Sequence, residues 1–491
     1  MKLLIFSGFS GFAQRLDNVA ALLQGEHGYT IDSLVFGKDN FRYLKERGKA
    51  SYRRIVCIED LLQAASEAEP PSAKRLSDIE RRLGHSLTHI AYSERTFVQH
   101  THALPMRQRL SQDELAAHVV YMHDALDAML EGIDAVFVYT CASLSSELLY
   151  YLCCARGVHF ITMNEQRLGY RWLLTDNNRD RHPAVMARYL DPGFRSTEAG
   201  RKRLDDYVAK LRRNEKNIVQ TMYQRAALSR KRLNARNIAR YLNYMLFQEF
   251  NRYYLGPTKL QHSLHLARYK LREAYLRRTT GAELPDRPFV YFPLSMIPEA
   301  STLIRGLRHY DQLSIIKALS LALPLDWVLL VREHPSSIGQ TPIHFYREVR
   351  KLFNVRLVTP YNSPLECTER AEAVVTVTGT TGMEALALGK RTVVLGSAIY
   401  TDVRSAYCNN DPAEIGEFLR RPWTEADRER QLEDMARFAS ALELGPGFDD
   451  PDNVLWTRAA SNPEENPVDR NLAAAIYAYW QGIHGNSAQR C

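Results

Sequence analysis

The 491-residue chain contains little cysteine and no long apolar run. Its seven cysteines are scattered, and they form neither a CxxC pair nor a Cys/His spacing of the kind that binds zinc. An odd and dispersed set predicts reduced thiols in a cytoplasmic protein, not a disulfide framework. No stretch reaches the roughly 20 consecutive apolar residues that a membrane-spanning helix needs. The composition therefore favours a protein that is soluble or attached to a surface, without a metal site.

The first residues superficially resemble a short signal peptide, because Lys2 precedes an apolar stretch. Gly8, Ser10 and Gly11 interrupt that stretch, and the residues that follow have helical spacing. We therefore predict a strand, a glycine turn and a helix, which open a Rossmann-like domain.

Strands and helices alternate along two parts of the chain, as in parallel sheets covered by helices. Predicted strands lie at 2–7, 29–36, 54–57, 134–140 and 158–163, and then at 289–292, 327–332, 355–358, 373–377 and 392–395. The predicted regions are an N-terminal Rossmann-like domain (1–190), a basic helical insertion (191–284), a C-terminal Rossmann-like domain (285–440), and a tail (441–491). We expect the last helix, around 470–483, to pack back near the first domain.

The segment 374–396 reads as a buried strand, a Gly/Thr turn, a helix and a second buried strand. Gly379 and Gly382 permit close backbone approaches, and Thr378, Thr380 and Thr381 stand where the free N–H groups of the helix would point. This layout predicts a phosphate-binding turn. The alternative interpretation is that the threonines only cap the helix.

A second apolar strand, at 327–332, ends in Glu333, His334 and Pro335. Ligands bind beyond the carboxyl ends of strands in open parallel sheets, so His334 would share a crevice with the threonine turn if the strands are close. A histidine there can donate to a phosphate oxygen or carry a positive charge against a leaving group. Otherwise His334 only closes a loop that Pro335 stiffens.

Three runs together resemble the capsule polysaccharide synthesis family of bacterial envelope proteins. They are FVYFPLSMIPEAST at 289–302, VREHP at 331–335, and VTGTTGMEALALGKRTVVLGSAIY at 377–400. That family includes glycosyltransferases that use CMP-Kdo, and its motifs are similar to those of GT-B sialyltransferases. The resemblance implies a GT-B-like α/β fold, with two Rossmann-like domains facing a cleft. It also implies sugar transfer from a nucleotide sugar, with His334 and the Thr380–Thr381 pair on the donor phosphate.

An acceptor hydroxyl needs a base to remove its proton. Glu165 is the best local candidate, because it follows a predicted strand and opens the segment NEQRLGYRWLLTD, which we interpret as a polar and aromatic loop. Asp176 is the second candidate. The alternative for Glu165 is a salt bridge to Arg167 or Arg171.

Further cleft residues are expected beside the phosphate turn. Glu384 would accept hydrogen bonds from the donor ribose or only complement the helix dipole. Pro298 and Glu299 match the commonest word of the family, and Glu299 would position the nucleotide or cap the next helix. The DDPD run at 449–452 is interpreted as a surface loop and not as a metal site.

Basic charge is concentrated between Arg195 and Arg278, with 21 Lys and Arg against six Asp and Glu. The segment has helical periodicity with interleaved aromatic residues and leucines, as at 235–256. We expect it to contact an anionic membrane or an anionic glycan, since ordinary solvated helices mix both signs of charge. A solvated helical face is the plainest alternative. No RNA- or DNA-binding signature accompanies it, so nucleic acid is not expected as a partner.

The sequence thus predicts an inverting, metal-independent glycosyltransferase of bacterial surface polysaccharide synthesis, at the cytoplasmic face of the membrane. It would need no cofactor, and a CMP-linked donor is favoured. Two alternatives remain open: a non-catalytic assembly protein that binds glycan or lipid, and a UDP-sugar 2-epimerase.

Overall fold

The fold is taken from a computed structural model that describes residues 1–7, 12–94, 110–169, 171–213, 239, 259–297, 299–450, 455 and 467–485. The described residues divide into two compact units. Unit 1 contains those up to Ala187 and those from Leu442 onwards, and unit 2 contains those from Arg188 to Ala441. Each unit is an α/β body with its own sheet, so the predicted fold class is confirmed.

The elements up to residue 190 alternate between strands and helices. They are β1 (Lys2–Ser7), α1 (Ala13–His27), β2 (Thr30–Val35), α2 (Lys38–Arg47), β3 (Tyr52–Cys57), α3 (Ile58–Ala65), α4 (Ala73–Leu83), α5 (Leu87–Ala91), α6 (Gln112–Met129), β4 (Ala135–Val138), α7 (Leu144–Arg156), β5 (His159–Glu165), β6 (Arg171–Thr175) and α8 (Pro183–Leu190).

The later elements follow the same alternation. They are α9 (Glu198–Arg212), α10 (Lys259–Thr279), β7 (Phe289–Pro293), α11 (Ala300–Leu303), α12 (Gln312–Ala322), β8 (Val328–Arg332), α13 (Ile343–Arg350), β9 (Val355–Val358), α14 (Pro364–Arg370), β10 (Ala373–Thr376), α15 (Thr380–Ala387), β11 (Arg391–Val394), β12 (Ala406–Cys408), α16 (Pro412–Arg420), α17 (Glu425–Glu443), β13 (Gly447–Asp449) and α18 (Pro467–Gly485).

The sheet of unit 1 has the order β13-β6-β5-β4-β1-β2-β3. The five neighbouring strands β5, β4, β1, β2 and β3 are parallel. Strand β1 is buried from Leu3 to Ser7, as expected of a central strand that is covered on both faces. Helix α1 ends at Gly28, whose left-handed φ of 67° lets its N–H turn back to the last helical carbonyls. The glycine turn predicted after β1 lies outside the described residues.

Two strands of unit 1 were not predicted. β6 pairs antiparallel with β5, and β13 pairs antiparallel with β6, so Gly447 lies opposite Leu173. The expectation of a loop through Arg171–Thr175 is therefore wrong. Its apolar core of three residues is too short to show a period, and its partner strand lies far away in the chain.

The DDPD run was also misjudged where the structure describes it. Asp449 ends β13, and Asp450 is completely buried with its carboxylate accepting the N–H of Leu455 at 2.9 Å. Asp450 is thus an internal hydrogen-bond acceptor and not part of a surface loop. Residues 451 and 452 lie outside the described part of the chain.

The six strands of unit 2 are all parallel, in the order β12-β11-β10-β7-β8-β9. Five of the six were predicted, and β12 was not. The described parts of the expected basic insertion, α9 and α10, belong to this unit. The stretch 235–256, apart from residue 239, lies outside the described residues.

Helix α18 packs against α1 inside unit 1. Asp469 is fully buried there, and its carboxylate accepts from Arg15 Nη1 at 2.7 Å and from Asn18 Nδ2 at 2.8 Å. The ring of Tyr477 stacks on His27 at a centroid distance of 3.8 Å. A buried, hydrogen-bonded ion pair therefore fixes the C-terminal helix on the first helix of the chain.

Asp469→Ala is expected to lower the free energy of unfolding of unit 1 by about 3–5 kcal/mol, because it leaves the Arg15 guanidinium buried and uncompensated. Glu26→Ala is the matched control. Glu26 also joins α1 to α18, through Arg470 at 2.7 Å, but that pair is about half exposed and should contribute less than about 1 kcal/mol. Chemical denaturation measures both, and equal losses would contradict the expectation.

Candidate functional site

Three polar segments meet at the carboxyl edge of the sheet of unit 2. The strand order β9-β8-β7-β10-β11-β12 reverses direction between β7 and β10, which is the point at which parallel sheets bind ligands. The threonine turn follows β10, the 294–299 segment follows β7, and Glu333–Pro335 follow β8. The two predicted phosphate motifs are therefore separated by one strand.

Hydrogen bonds of Thr376 and Thr378 shape the threonine turn, and they do not use the hydroxyls of Thr380 and Thr381. The N–H of Gly379, just before α15, donates to Thr376 Oγ1 at 3.1 Å, and Thr378 Oγ1 donates to the Ser301 carbonyl at 3.1 Å. Within the described residues, the half-buried side chains of Thr380 and Thr381 make no hydrogen bond. Because the first N–H groups of an α-helix lack partners within it, the start of α15 at these two threonines offers hydrogen-bond donors of the kind that anions accept from.

Tyr400 packs against the threonine turn and forms a hydrogen bond with it. It is 2% exposed, and its hydroxyl donates to the Gly379 carbonyl. A Cβ on Gly382 would stand 2.5 Å from the Tyr400 hydroxyl and 2.8 Å from Thr376 Cγ2. Gly382 therefore serves close packing of α15 on Tyr400 and β10, whereas Gly379, with φ −71°, has an ordinary extended backbone.

His334 follows β8 directly and precedes a short 3-10 helix at Pro335–Ser337. Its Nδ1 accepts the Ser336 N–H at 3.2 Å, so the neutral ring carries its proton on Nε2. If the ring took up a second proton at Nδ1, it would lose this hydrogen bond, because two N–H donors would then face each other. In the neutral tautomer Nε2 is the donor atom of the ring. Pro335 occupies the first position of the 3-10 helix.

Glu333 fixes the backbone of His334. It is buried, and its carboxylate accepts the His334 N–H at 2.6 Å, Tyr346 Oη at 2.6 Å and Thr341 Oγ1 at 2.7 Å. Burial raises the pKa of this carboxyl, although the three donors oppose the rise. The sequence analysis named Glu333 only as part of the strand end, since no local pattern shows where its hydrogen-bond partners lie.

The remaining predicted residues of unit 2 lie around the same edge. The exposed Glu299 accepts from Ser301 Oγ at 2.7 Å at the start of α11, which is the capping alternative. Glu384 is half-buried in α15, and its charge adds to the rise that burial causes in the pKa of Tyr291, on β7. Pro298 lies outside the described residues.

One cation of this region escaped the sequence analysis. The carbonyl of Arg305 accepts the Ser397 N–H at 2.9 Å, and a Cβ on Gly396 would lie 2.6 Å from Thr378 Cγ2 and 3.1 Å from that carbonyl. The half-buried Arg305 thus belongs to the loops that pack behind the threonine turn. The only local signal for it is an arginine shortly after the SMIPEAST word.

In unit 1, Glu165 is the last residue of β5 and lies opposite Trp172 of β6. It is half-buried at the carboxyl end of the strand. Arg171 pairs with Asp449 at 3.1 Å, so it is not the partner of Glu165. Asp176 follows β6 directly and is half-buried as well.

A buried polar network in unit 1 was missed by the sequence analysis. Glu147, in the first turn of α7, accepts from Asn178 Nδ2 at 2.9 Å and lies 3.5 Å from Arg179 Nη2. Arg179 also donates to Tyr151 Oη at 3.0 Å. The loop after β6 is thereby tied to α7, a tertiary relation that no local pattern indicates.

No group of His, Cys, Asp and Glu with the arrangement of a metal site occurs among the residues that the structure describes. The six cysteines in that part of the chain are free thiols.

Residues 201–403 match the model of a family described as capsule polysaccharide biosynthesis protein. This segment is thus similar to that family. The match includes His334 and the threonine turn, and it confirms the resemblance inferred from the sequence. No curated protein matches the chain.

Solved structures are similar only at a low level. Two are KpsC from Thermosulfurimonas dismutans, a beta Kdo 2,7 transferase (13% identity, TM-score 0.31, 64% of this chain and 80% of that chain) and a beta Kdo 2,4 transferase (14%, 0.30, 68% and 92%). A third is UDP-GlcNAc 2-epimerase from Neisseria meningitidis bound to UDP-GlcNAc (11%, 0.28, 90% and 98%).

Gly382→Ala is expected to destabilise unit 2 by about 1–3 kcal/mol, because the new methyl group overpacks against Tyr400 and Thr376. Gly482→Ala, in α18, is the matched control. Nothing lies within 4 Å of a Cβ there, so alanine should stabilise the helix by about 0.5–1 kcal/mol. Thermal unfolding of both variants tests this, and an unchanged Gly382→Ala would contradict the packing role.

Proposed function

We propose that this protein is a nucleotide-sugar-dependent glycosyltransferase of capsular or other surface polysaccharide synthesis. The donor would be a CMP-linked acidic sugar such as Kdo, and the acceptor a glycan or glycolipid. The observation that supports the proposal is the strand order, in which β10, which precedes Thr380, Thr381 and α15, and β8, which precedes His334, are both neighbours of β7.

Each of these groups has a place on the donor phosphate. The N–H groups at the start of α15 would bind two phosphate oxygens, together with the hydroxyls of Thr380 and Thr381. His334 would donate from Nε2 to a third position, with its ring held by Ser336 and its backbone by Glu333. Glu384 would accept from the ribose. The helix N–H groups and the His334 ring are held in place before the substrate binds, so they stabilise growing charge without reorganisation.

The proposed reaction is a direct displacement at the anomeric carbon. The acceptor oxygen forms the new bond to that carbon while the bond to the phosphate oxygen breaks and the nucleotide departs as its phosphate. A base removes the acceptor proton, and the anomeric configuration inverts. The helix N-terminus and His334 supply the charge compensation, so the proposal requires no metal ion and no further cofactor.

We assign the base to Glu165, on unit 1, with Asp176 as the alternative. Glu147 is less suited, because Asn178 and Arg179 already occupy its carboxylate.

We further place the enzyme at the cytoplasmic face of the bacterial membrane, with the segment 195–278 towards the anionic lipid surface and with no nucleic acid partner. Among the described residues, no helix is long and apolar enough to cross a membrane.

The first test is a thermal-shift panel of the purified protein against CMP, UDP, GDP and their sugars. Selective stabilisation by CMP that His334→Ala and Thr380→Ala abolish would support the proposal. His344→Ala, an exposed histidine on α13, should keep the full response. A preference for UDP, with epimerised product in the absence of acceptor, would replace transfer by epimerisation. The absence of any nucleotide response would favour a non-catalytic protein.

In a transfer assay, His334→Ala is expected to lower kcat by about 100- to 1,000-fold, as the loss of one preorganised donor does elsewhere. The unfolding temperature should change little, because the Glu333 network uses the backbone N–H of His334, and the ring's hydrogen bond to Ser336 only closes a short turn. Wild-type turnover in this variant would contradict the role of His334.

The base is tested by a panel of isosteric variants, Glu165→Gln, Asp176→Asn and Glu147→Gln. Removal of a general base typically costs about 100- to 10,000-fold in rate. We expect that loss for Glu165→Gln, together with loss of the acidic limb of the pH–rate profile. A larger loss in Asp176→Asn would transfer the role to Asp176.

A further inference from the structure

Helix α10 has an apolar face that is largely exposed. Leu260, Leu264 and Leu271 are 69%, 48% and 66% exposed. With about 100° of rotation per residue, these three side chains fall within about 40° of one another and extend along about 16 Å of the helix. We call them the leucine stripe.

The opposite face of α10 is packed into unit 2. Tyr269 and Leu276 are 7% and 1% exposed, and a Cβ on Gly339 would lie 2.7 Å from the Tyr269 ring. Arg272 Nη1 donates to the Gln340 carbonyl at 2.8 Å. Since Leu260 and Tyr269 are nine residues apart, they point to opposite sides of the helix. The face of α10 that packs into the core is therefore a different one from the leucine stripe.

The charge around the leucine stripe has one sign. Helix α10 contains six Lys and Arg and a single acid, Glu273. Both Lys270 and Arg277 pair with Glu273, at 3.1 and 2.9 Å. Arg268 and Arg278 are exposed and have no ion-pair partner among the residues that the structure describes. By helical rotation Arg268 flanks the leucine stripe and Arg278 lies at its C-terminal end.

Helix α9, in the same basic segment, behaves differently. Three of its five Lys and Arg pair with acids: Arg201 with Glu433 at 2.6 Å, Lys202 with Asp206 at 2.8 Å, and Arg212 with Glu369 at 3.5 Å. The excess of positive charge in the described part of the segment is thus presented chiefly by α10.

We propose that the leucine stripe lies on an anionic phospholipid bilayer, with Arg268 and Arg278 on the headgroup phosphates. An apolar stripe bordered by cations is the arrangement of helices that lie in the membrane interface. A zwitterionic surface would use the leucines alone, whereas the unpaired arginines match an anionic one. This proposal refines the membrane placement proposed above for residues 195–278. The leucine stripe contains no residue of the proposed nucleotide site, so its test is independent of the transfer reaction.

The test is flotation of the full chain with vesicles of phosphatidylcholine alone and of phosphatidylcholine mixed with phosphatidylglycerol, at low and high salt. The wild type should float with the mixed vesicles, and high salt should weaken that binding. The triple variant Leu260→Gln/Leu264→Gln/Leu271→Gln should bind about tenfold more weakly or worse. Arg268→Gln/Arg278→Gln should lose the preference for the anionic lipid.

The matched control is Leu321→Gln/Leu325→Gln, which changes two leucines that are 86% and 82% exposed and lie outside α10. It should float like the wild type, and all variants should keep the unfolding temperature of the wild type. Equal flotation of the triple variant and the wild type would overturn the proposal. The proposal would also be overturned if the wild type is a dimer that does not float and the triple variant is a monomer. The leucine stripe would then bind a second copy of the chain.

Discussion

The candidate site depends on the position of β7 between β8 and β10. Parallel pairing on both sides aligns three carboxyl ends at one edge, although the segments that follow them are separated by up to about ninety residues in sequence. A shift of this strand order would move His334 away from the threonine turn. The chemistry that we propose therefore rests on ladder hydrogen bonds and on buried β-branched side chains that make no contact with a ligand.

Buried polar contacts hold the loops of the candidate site in one conformation. Glu333 satisfies the His334 backbone together with Tyr346 and Thr341, and Tyr400 bonds the Gly379 carbonyl while it fills the space beside Gly382. Unpaired polar groups in such surroundings are costly, so each partner restricts the conformation of the next. Among the described residues, the hydroxyls of Thr380 and Thr381 take no part in these contacts.

Prediction from the sequence succeeded where the signal is local. The runs at Phe289–Pro293, Val328–Arg332 and Ala373–Thr376 are short, apolar and β-branched, and they form strands within two residues of the expected bounds. It failed for β6 and β13, whose pairing joins Trp172 to Phe448 across most of the chain. The polar words at strand ends were visible in sequence, but Arg305 and the Glu147 network were not, because tertiary contacts alone single them out.

The sequence by itself determined the α/β class, the strands of both sheets that alternate with helices, and the residue types at the phosphate turn. These follow from hydrophobic period and from glycine and threonine chemistry, which act over a few residues. Tertiary structure alone decided which strand ends are neighbours, that Thr378 is consumed by Ser301, that Asp450 is buried, and that one face of α10 keeps its leucines exposed. The physical reason is that burial and pairing depend on residues distant in the chain, and no local window contains them.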